Sequence, residues 1–166
     1  MKALLALSSL GLVASAAFAL PNPAAVQCGN LGGTVLILNG SAGQAGFCQL
    51  GRAMIEEWTL DRATTGYGCQ LAVTTYLTHP AGSSPGATPS GAELPNPASA
   101  YCAAVGGTSV NYTDASGNAY GICQFSDNSS IDEWTLYRGP NDSTNSALTS
   151  AVKTQCSVLT ASGRGL

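Results

Sequence analysis

The six cysteines are the residues whose chemistry the sequence predicts most directly. They are Cys28, Cys48, Cys69, Cys102, Cys123 and Cys156. No two of them form a Cys-x-x-Cys pair, and the sole histidine, His79, is followed by a proline, so the spacing does not indicate a metal site. In an oxidising compartment such cysteines form structural disulfide bonds. We therefore expect covalent cross-links, with no metal ligand and no cofactor.

A repeat in the sequence narrows the possible pairings of these cysteines. Residues 95–102 repeat residues 21–28, and further matches follow at an offset of 74 to 76 residues. Equivalent cysteines should pair alike, which predicts the bonds Cys28–Cys48 and Cys102–Cys123, each stabilising by roughly 3 kcal/mol in the chain-entropy model. Cys69 and Cys156 remain, and they either join the two units or pair outside the chain.

Adjacent acids in each copy are the next candidates for chemistry. The pairs are Glu56-Glu57 and Asp132-Glu133. Two carboxylates can serve as acid and base when they flank a bond, but neighbours on a helix point roughly 100° apart. Charges that favour a helix N-terminus are the simpler interpretation. Since His79 also lies beside a proline in a Gly- and Ser-rich segment, we predict no catalytic residue and no enzyme.

A tryptophan and an arginine follow the acids at a spacing of four residues. The candidate recognition residues are therefore Glu57, Trp58, Arg62, Glu133, Trp134 and Arg138. On a helix the two side chains can stack, which is more often structural support than recognition. If the Trp134 ring anchors the core of its unit, Trp134→Ala should cost roughly 3 kcal/mol or more, whereas an exposed ring favours recognition.

Four Asn-x-Ser/Thr sequons are candidate glycosylation sites. They begin at Asn39, Asn111, Asn128 and Asn141. The first and third asparagines fall in predicted turns, and alternation of polar and apolar residues puts Asn111 on the wet face of a hairpin. In a eukaryotic host we expect two or more of the four to carry a glycan.

Each unit is predicted to contain a short helix, a β-hairpin and a second short helix. In the second copy, Asn96 caps a helix over residues 97–105, and Gly106-Gly107 ends it. The hairpin strands cover residues 108–113 and 118–125. The earlier copy has strands over residues 34–38 and 45–50, with a turn at Asn39-Gly40.

The last segment of the unit fits either a helix or a strand. A capping box over residues 130–133 favours a helix in which Ile131, Trp134 and Arg138 share one face. Trp, Thr and Tyr are also good strand residues. We favour the helix, and the predicted fold class is α+β, with two small disulfide-stapled units.

The sequence divides into five segments. Residues 1–19 have the cation, apolar core and Ala-x-Ala ending of a secretory signal peptide. The first unit covers residues 20–76, and a Pro-, Gly- and Ser-rich flexible linker covers residues 77–94. The second unit covers residues 95–140, and a C-terminal extension with one weak helix covers residues 141–166. We expect a secreted, extracellular protein without a stable membrane anchor.

Charge excludes one class of partner. The chain has six Lys and Arg against nine Asp and Glu, a formal net charge of −3, and its basic residues are not clustered. Binding to nucleic acid needs clustered cations that replace counterions. The sequence therefore predicts no nucleic-acid partner.

The order of the repeated motifs resembles a known family. The residues are Asn-Pro-Ala before Cys102, Gly-Gly, Gly-x-Cys and an acidic pair followed by Trp-Thr-Leu-x-Arg. This order is similar to a small bacterial and archaeal domain of unknown function that often carries the label hemolysin. The resemblance implies short exported or lipid-anchored proteins with one unit and without established catalytic residues. Family members often have a cysteine where this chain has Ile55 and Ile131.

Three functions are compatible with these features. We favour a secreted, non-catalytic binding or effector module whose units engage an unknown extracellular ligand or protein. A protease inhibitor is the first alternative, with residues 49–54 or 124–129 as the rigid loop. A membrane-active protein is the second, and it depends on the hemolysin label alone.

Overall fold

A computed structural model describes residues 21–78 and 96–161, with side chains as far as Cys156. The predicted signal peptide, nearly all of the predicted linker with His79, and the end of the C-terminal extension lie outside the described residues.

Both units contain the predicted helix, hairpin and helix, and each adds a third strand. The first unit consists of α1 (Pro23–Asn30), β1 (Thr34–Gly40), β2 (Gly43–Leu50), β3 (Ala53–Glu56), α2 (Glu57–Thr65) and α3 (Leu71–Thr78). The second consists of α4 (Pro97–Ala104), β4 (Thr108–Thr113), β5 (Ala119–Gln124), β6 (Ser130–Asp132) and α5 (Glu133–Arg138), followed by a 3₁₀ turn (Ser143–Asn145) and α6 (Ser146–Ala161). The predicted α+β class is confirmed.

The first helix of each unit begins and ends as its sequence predicts. The side chains of Asn22 and Asn96 accept hydrogen bonds from the backbone amides two residues on, and a proline occupies the first helical turn. Gly32 and Gly106 follow with φ of +78° and +85°, a conformation that glycine adopts without steric cost.

The predicted capping box at Ser130 is wrong, because residues 130–132 form strand β6. Ile131 is fully buried and pairs with strands on both sides, and this burial outweighs the local capping signal. Helix α5 is capped by Asp132, whose Oδ1 accepts from the Thr135 amide at 2.7 Å. Glu56 caps α2 in the same way, accepting from the Thr59 amide at 2.7 Å.

The turn of the first hairpin also lies two residues later than predicted. Strand β1 continues through Asn39 and Gly40, and the turn is formed by Ser41 and Ala42. Asn39 stays in the strand because it pairs with Gln44 of β2 and with Thr113 of β4, and the second pairing joins the two units, which a local pattern cannot reveal.

The six strands close into one barrel in the order β1-β2-β3-β6-β5-β4, with all neighbours antiparallel. Each unit supplies three consecutive strands. The units meet at two seams, where Ile55 pairs with Ile131 and Asn39 pairs with Thr113. The two predicted units are therefore the two halves of a single barrel.

Within the described residues, most of the buried apolar side chains form two clusters. The smaller cluster contains residues from alternate positions of strands in both units. Its buried members are Leu38, Phe47, Met54 and Ile122, and the partly buried residues around them are Leu36, Ala45, Val110, Tyr112 and Tyr120. The larger lies beneath the helices and includes Ile55, Leu60, Tyr76, Ile131, Leu136, Leu148 and Val152. Because Leu148 and Val152 belong to α6, the C-terminal helix is part of this shared core.

Three disulfide bonds cross-link the barrel and its helices. Cys28–Cys48 and Cys102–Cys123 confirm the predicted pairing within units. Cys69–Cys156 joins the first unit to α6, which decides between the two alternatives that the sequence left open. The second glycine of each Gly-Gly pair makes room for a disulfide, since a Cβ on Gly33 would lie 2.6 Å from the Cys48 sulfur.

Candidate functional site

Glu57 and Glu133 begin helices α2 and α5 with their carboxyl groups turned inward. Glu57 is 5% exposed and Glu133 is 0% exposed. Each carboxyl group lies over a glycine of the adjacent strand, and a Cβ on Gly46 would come within 2.5 Å of the Glu57 Cδ. Gly121 makes the same space for Glu133. Glu57 and Glu133 are therefore removed from the candidate recognition residues, because both carboxyl groups are buried where a ligand does not reach them.

Each buried carboxyl group ties two helices of its unit together. Asn22 Nδ2 donates to Glu57 Oε1 at 2.5 Å, and Ser99 Oγ donates to Glu133 Oε2 at 2.6 Å. The remaining oxygens, Glu57 Oε2 and Glu133 Oε1, are buried without a hydrogen-bond partner. Burial raises the pKa of Glu57, against the lowering effect of the Asn22 hydrogen bond.

The two tryptophans point outward from the same helices. Trp58 is 39% exposed and Trp134 is 42% exposed. The alternative that Trp134 anchors a core is therefore wrong, and fully buried Leu60 and Leu136 hold the helices to the barrel instead. Ile131 shares no helical face with Trp134, since it belongs to strand β6.

Two open grooves border Trp58. One groove, of about 740 Å³, is lined by Pro23, Trp58, Asp61, Arg62, Thr65 and Tyr67. The other, of about 340 Å³, is lined by Glu56, Trp58, Arg62 and Asn128. Trp58 and Arg62 belong to both, so we refer to these eight residues together as the Trp58 surface.

Arg62 and Tyr67 project from this surface beside the Trp58 ring. Tyr67 is 84% exposed, the most open of the large apolar side chains in the described residues. Arg62 is exposed, and its Nη1 lies 3.5 Å from Gln70 Oε1. The repeated motif predicts Trp58 and Arg62 as candidates but not Tyr67, which lies in the connection after α2 and outside the motif.

The second unit does not reproduce this surface. The Trp134 ring packs edge-on against Tyr137, with centroids 5.7 Å apart. Arg138 is half-buried, and its Nε is enclosed without a hydrogen-bond partner. Tyr137 occupies the place that Asp61 has in the first unit. The same motif thus exposes its arginine in the first unit and half-buries it in the second.

Two threonines that the sequence analysis missed connect the units. Thr59 Oγ1 accepts from the Ser130 amide at 3.2 Å, and Thr135 Oγ1 accepts from the Met54 amide at 3.0 Å. Both hydroxyl groups are fully buried and also donate to the carboxylates that cap their helices. The repeated Trp-Thr-Leu was the available signal, but the role depends on a seam between distant strands.

The two loops considered for protease inhibition are short and partly buried. Between β2 and β3, Gly51 and Arg52 form a two-residue turn, and Ala53 and Met54 beyond it are buried. In the other loop, Asp127 Oδ2 accepts from the Leu71 amide at 2.7 Å and Ser129 Oγ accepts from the Ala72 amide at 2.9 Å. This loop caps helix α3.

All four sequon asparagines lie at the surface. They are Asn39, Asn111, Asn128 and Asn141. The exposure of Asn111 agrees with the predicted wet face of strand β4. Asn128 has a φ of +64° and borders the Trp58 surface, so a glycan there would stand beside that tryptophan.

Neither a metal-binding cluster nor a helix that could span a bilayer occurs in the described part of the chain. Within residues 21–78 and 96–161, no three His, Cys, Asp or Glu residues cluster closely enough to hold a metal ion. None of the helices in these ranges has the length and hydropathy needed to cross a bilayer.

Comparison with known proteins identifies the repeated unit. A family model described as "Domain of unknown function (DUF333)" matches residues 19–64 and again residues 93–140. The two matches span α1 to α2 and α4 to α5, so one copy of the domain corresponds to one half of the barrel. No curated protein and no solved structure matches the chain.

Proposed function

Because the chain belongs to the DUF333 family through two tandem copies of its domain, we propose that it is a secreted, non-catalytic module that binds an extracellular protein through the Trp58 surface. The disulfide framework supports an oxidising, extracellular setting. The signal-peptide pattern of residues 1–19 supports export to that setting.

The observation that carries the proposal is the grouping of an exposed tryptophan, arginine and tyrosine. Trp58 and Tyr67 are 39% and 84% exposed, and Arg62 stands between them along the chain. Trp, Tyr and Arg are the residue types that dominate binding energy in protein interfaces. Removing large aromatic rings from water lowers the free energy of the complex. This favours a protein ligand that covers them.

The rigidity of helix α2 adds to the case. Its N-terminus is fixed by two hydrogen bonds to Glu56, and Leu60 and Ala63 are buried beneath it. A surface on a rigid element loses less entropy when it binds. The buried state of Glu57 and Glu133 supports a non-catalytic role, because these carboxyl groups have no route to a substrate.

The two alternatives have less support. A protease inhibitor needs an extended exposed loop, and the candidate loops are a two-residue turn and a helix cap. Membrane activity rests on the hemolysin label and on no contact or surface of the described residues.

Capture from extracellular fluid tests the proposal. The mature protein is immobilised, and proteins retained from the medium of the organism's own culture or host tissue are identified and their affinities measured. Trp58→Ala should weaken the affinity about 30-fold, which corresponds to about 2 kcal/mol for an interface hot spot. Arg62→Ala should weaken it as well.

Trp134→Ala is the matched control, because it removes the equivalent ring from the other unit. It should retain the same protein with an affinity within about twofold of wild type. If Trp58→Ala and Arg62→Ala bind as well as wild type, the Trp58 surface is not the binding site.

A further inference from the structure

We propose that each half of the barrel is a docking surface for the complementary half of a second copy of this chain, so that two chains can exchange units and form a dimer of two complete barrels. In such a dimer the first unit of each chain pairs with the second unit of the other. This inference concerns the faces between the units and is independent of the Trp58 surface.

The strands pair along many residues within each unit, but along few residues where the two units meet. Strand β1 pairs with β2 along its whole length, from Thr34 to Gly40, and β4 pairs with β5 from Thr108 to Thr113. By contrast, a single residue pair joins the strands at each seam. Each unit is therefore a coherent three-stranded sheet whose two outer strands, β1 and β3 or β4 and β6, are completed by the other unit.

The contacts across the seams are specific. The amides of Ser130 and Met54 are each satisfied by a threonine hydroxyl of the opposite unit. The N-terminus of α3, in the first unit, is capped by Asp127 and Ser129 of the second. A unit that separates from its partner leaves these groups unpaired, and only the complementary unit restores them.

Apolar packing across the halves points to the same partner. The Phe47 and Tyr112 rings meet edge-on with centroids 5.5 Å apart, and the Tyr112 ring fills the space over Gly40. Leu38 and Met54 of the first unit pack in one cluster with Ile122 of the second. An isolated half would expose this cluster to water, and the matching half of another chain buries it as completely as the half of the same chain.

The covalent connection between the units permits both arrangements and sets the balance between them. Residues 79–95 connect the units, and a chain of that length reaches up to about 55 to 60 Å when fully extended. Assembly within one chain is then favoured by the high effective concentration of a tethered partner, and exchange becomes competitive as protein concentration rises. We expect a monomer from dilute folding and a growing dimer fraction from concentrated folding.

The disulfides provide a direct readout of exchange. Cys69–Cys156 is the bond that crosses between the halves, whereas Cys28–Cys48 and Cys102–Cys123 lie within them. In an exchanged dimer, Cys69 of one chain is bonded to Cys156 of the other, and the two remaining bonds stay within each chain. Each bond forms when two thiols lose two electrons and two protons to oxidised glutathione, which becomes two molecules of the reduced form.

Refolding of mixed isotopes tests the proposal on the full mature chain. Unlabelled and nitrogen-15-labelled chains are mixed in equal amounts, reduced, unfolded and refolded in glutathione buffer over a range of concentrations. Size-exclusion chromatography then separates monomer from dimer. In the dimer, about half of the Cys69–Cys156 peptide pairs should contain one labelled and one unlabelled peptide, since random pairing makes half of the dimers mixed.

The two disulfide bonds within the units serve as internal controls. The Cys28–Cys48 and Cys102–Cys123 peptide pairs from the same dimer should each carry a single isotope. Mixed labelling of all three bonds would show random oxidation and overturn the proposal, as would a monomer that persists at every concentration.

A variant without the cross-link separates the docking faces from the disulfide. Cys69→Ser/Cys156→Ser should still give a dimer in size exclusion, and that dimer should fall apart in detergent without reductant. If this variant folds but gives no dimer under conditions where wild type does, the cross-link and not the barrel faces makes the dimer. Trp58→Ala should dimerise like wild type, so a failure of the binding proposal and a failure of this one are distinguishable.

Discussion

At the scale of single residues, most positions of the repeated motif have a structural task. Asparagine and proline begin the first helix, the second glycine of Gly-Gly clears space for a disulfide, and the glycine of Gly-x-Cys clears space for a buried carboxyl group. Trp58 is the motif position that remains at the surface together with an exposed arginine. The motif therefore specifies the half-barrel, and in one copy it also leaves the proposed binding surface exposed.

The buried carboxyl group of Glu57 predicts a specific pH dependence. Its pKa is raised from 4.5 in the folded protein, chiefly by burial, so the folded state holds the proton more tightly than the unfolded state. The stabilisation it contributes is complete below pH about 4.5 and is lost as pH rises through the folded-state pKa. Glu57→Gln, which stays neutral, should therefore gain stability relative to wild type as pH rises from 4 to 7.

Denaturant unfolding of both proteins at several pH values measures this difference. Asp114, Asp127 and Asp142 act in the opposite direction, because the hydrogen bonds they accept lower their pKa values, in Asp127 against the raising effect of burial. They are present in both proteins, so their contributions cancel in the difference between the two, which reports Glu57 together with its coupling to Glu56. A stability difference that is constant with pH would contradict the prediction.

The exposure of Trp134 predicts a small cost for its removal. Its ring is 42% exposed and makes an edge-on contact with Tyr137. Trp134→Ala should lower the free energy of unfolding by about 1 kcal/mol, the value of an aromatic pair with partial burial, and not by the 3 kcal/mol or more typical of core aromatics. Chemical denaturation measures it, and a loss above about 3 kcal/mol would place the ring in the core.

At the scale of elements, the sequence predicts what local signals encode. The helices at residues 23 and 97 follow from an Asn-Pro start and a Gly-Gly end, and the second hairpin follows from alternation and turn residues. Strand β6 has only three residues, and besides pairing with β5 of its own unit it pairs with Ile55 of the other unit. No local pattern records such a pairing, so the capping-box signal at Ser130 led to a wrong boundary.

The same limit applies to the candidate site. Trp58 and Arg62 could be proposed from their spacing on a helix, and their exposure in the structure agrees with that. Whether Glu57 faces inward depends on the space above Gly46, which exists only once the strand and helix have packed. Tyr67 joins the surface through the path of the connection after α2, which the sequence alone does not define.

The hydroxyl groups that bridge the β3–β6 seam should contribute measurably to stability. Thr59→Val keeps the shape of the side chain but leaves the Ser130 amide without its acceptor, and Thr135→Val does the same to Met54. Each change should lower the free energy of unfolding by about 1 to 3 kcal/mol, the cost of a buried unpaired amide. Thermal or chemical unfolding of the single variants gives the value.

Thr65→Val serves as the control for this series. The Thr65 side chain is exposed and its hydroxyl bonds to the Asp61 carbonyl within its own helix. The free energy of unfolding of Thr65→Val should lie within about 0.5 kcal/mol of the wild-type value. If Thr59→Val and Thr65→Val cost the same, the cross-seam hydrogen bond has no net value.

At the scale of the whole molecule, duplication of the domain produces one folding unit. The barrel closes only when both halves are present, and α6 from the C-terminal extension packs in the same core as residues of the first unit. The Cys69–Cys156 bond holds that arrangement covalently. A half without its partner would lose both seams and a large part of its apolar burial, and small domains have little stability to spare.

This shared core predicts a single cooperative unfolding transition, and the two tryptophans allow each half to be followed separately. Trp134→Phe leaves Trp58 as a fluorescence probe of the first unit, and Trp58→Phe leaves Trp134 as a probe of the second. In denaturant both probes should give the same midpoint once corrected for the effect of each substitution, and the calorimetric and van 't Hoff enthalpies of the wild type should agree. Two separated midpoints would mean that each unit is stable alone, in which case the seams contribute little and the halves are independent domains. Coincident midpoints would instead show that one copy of the DUF333 domain in this chain depends on the other for its fold.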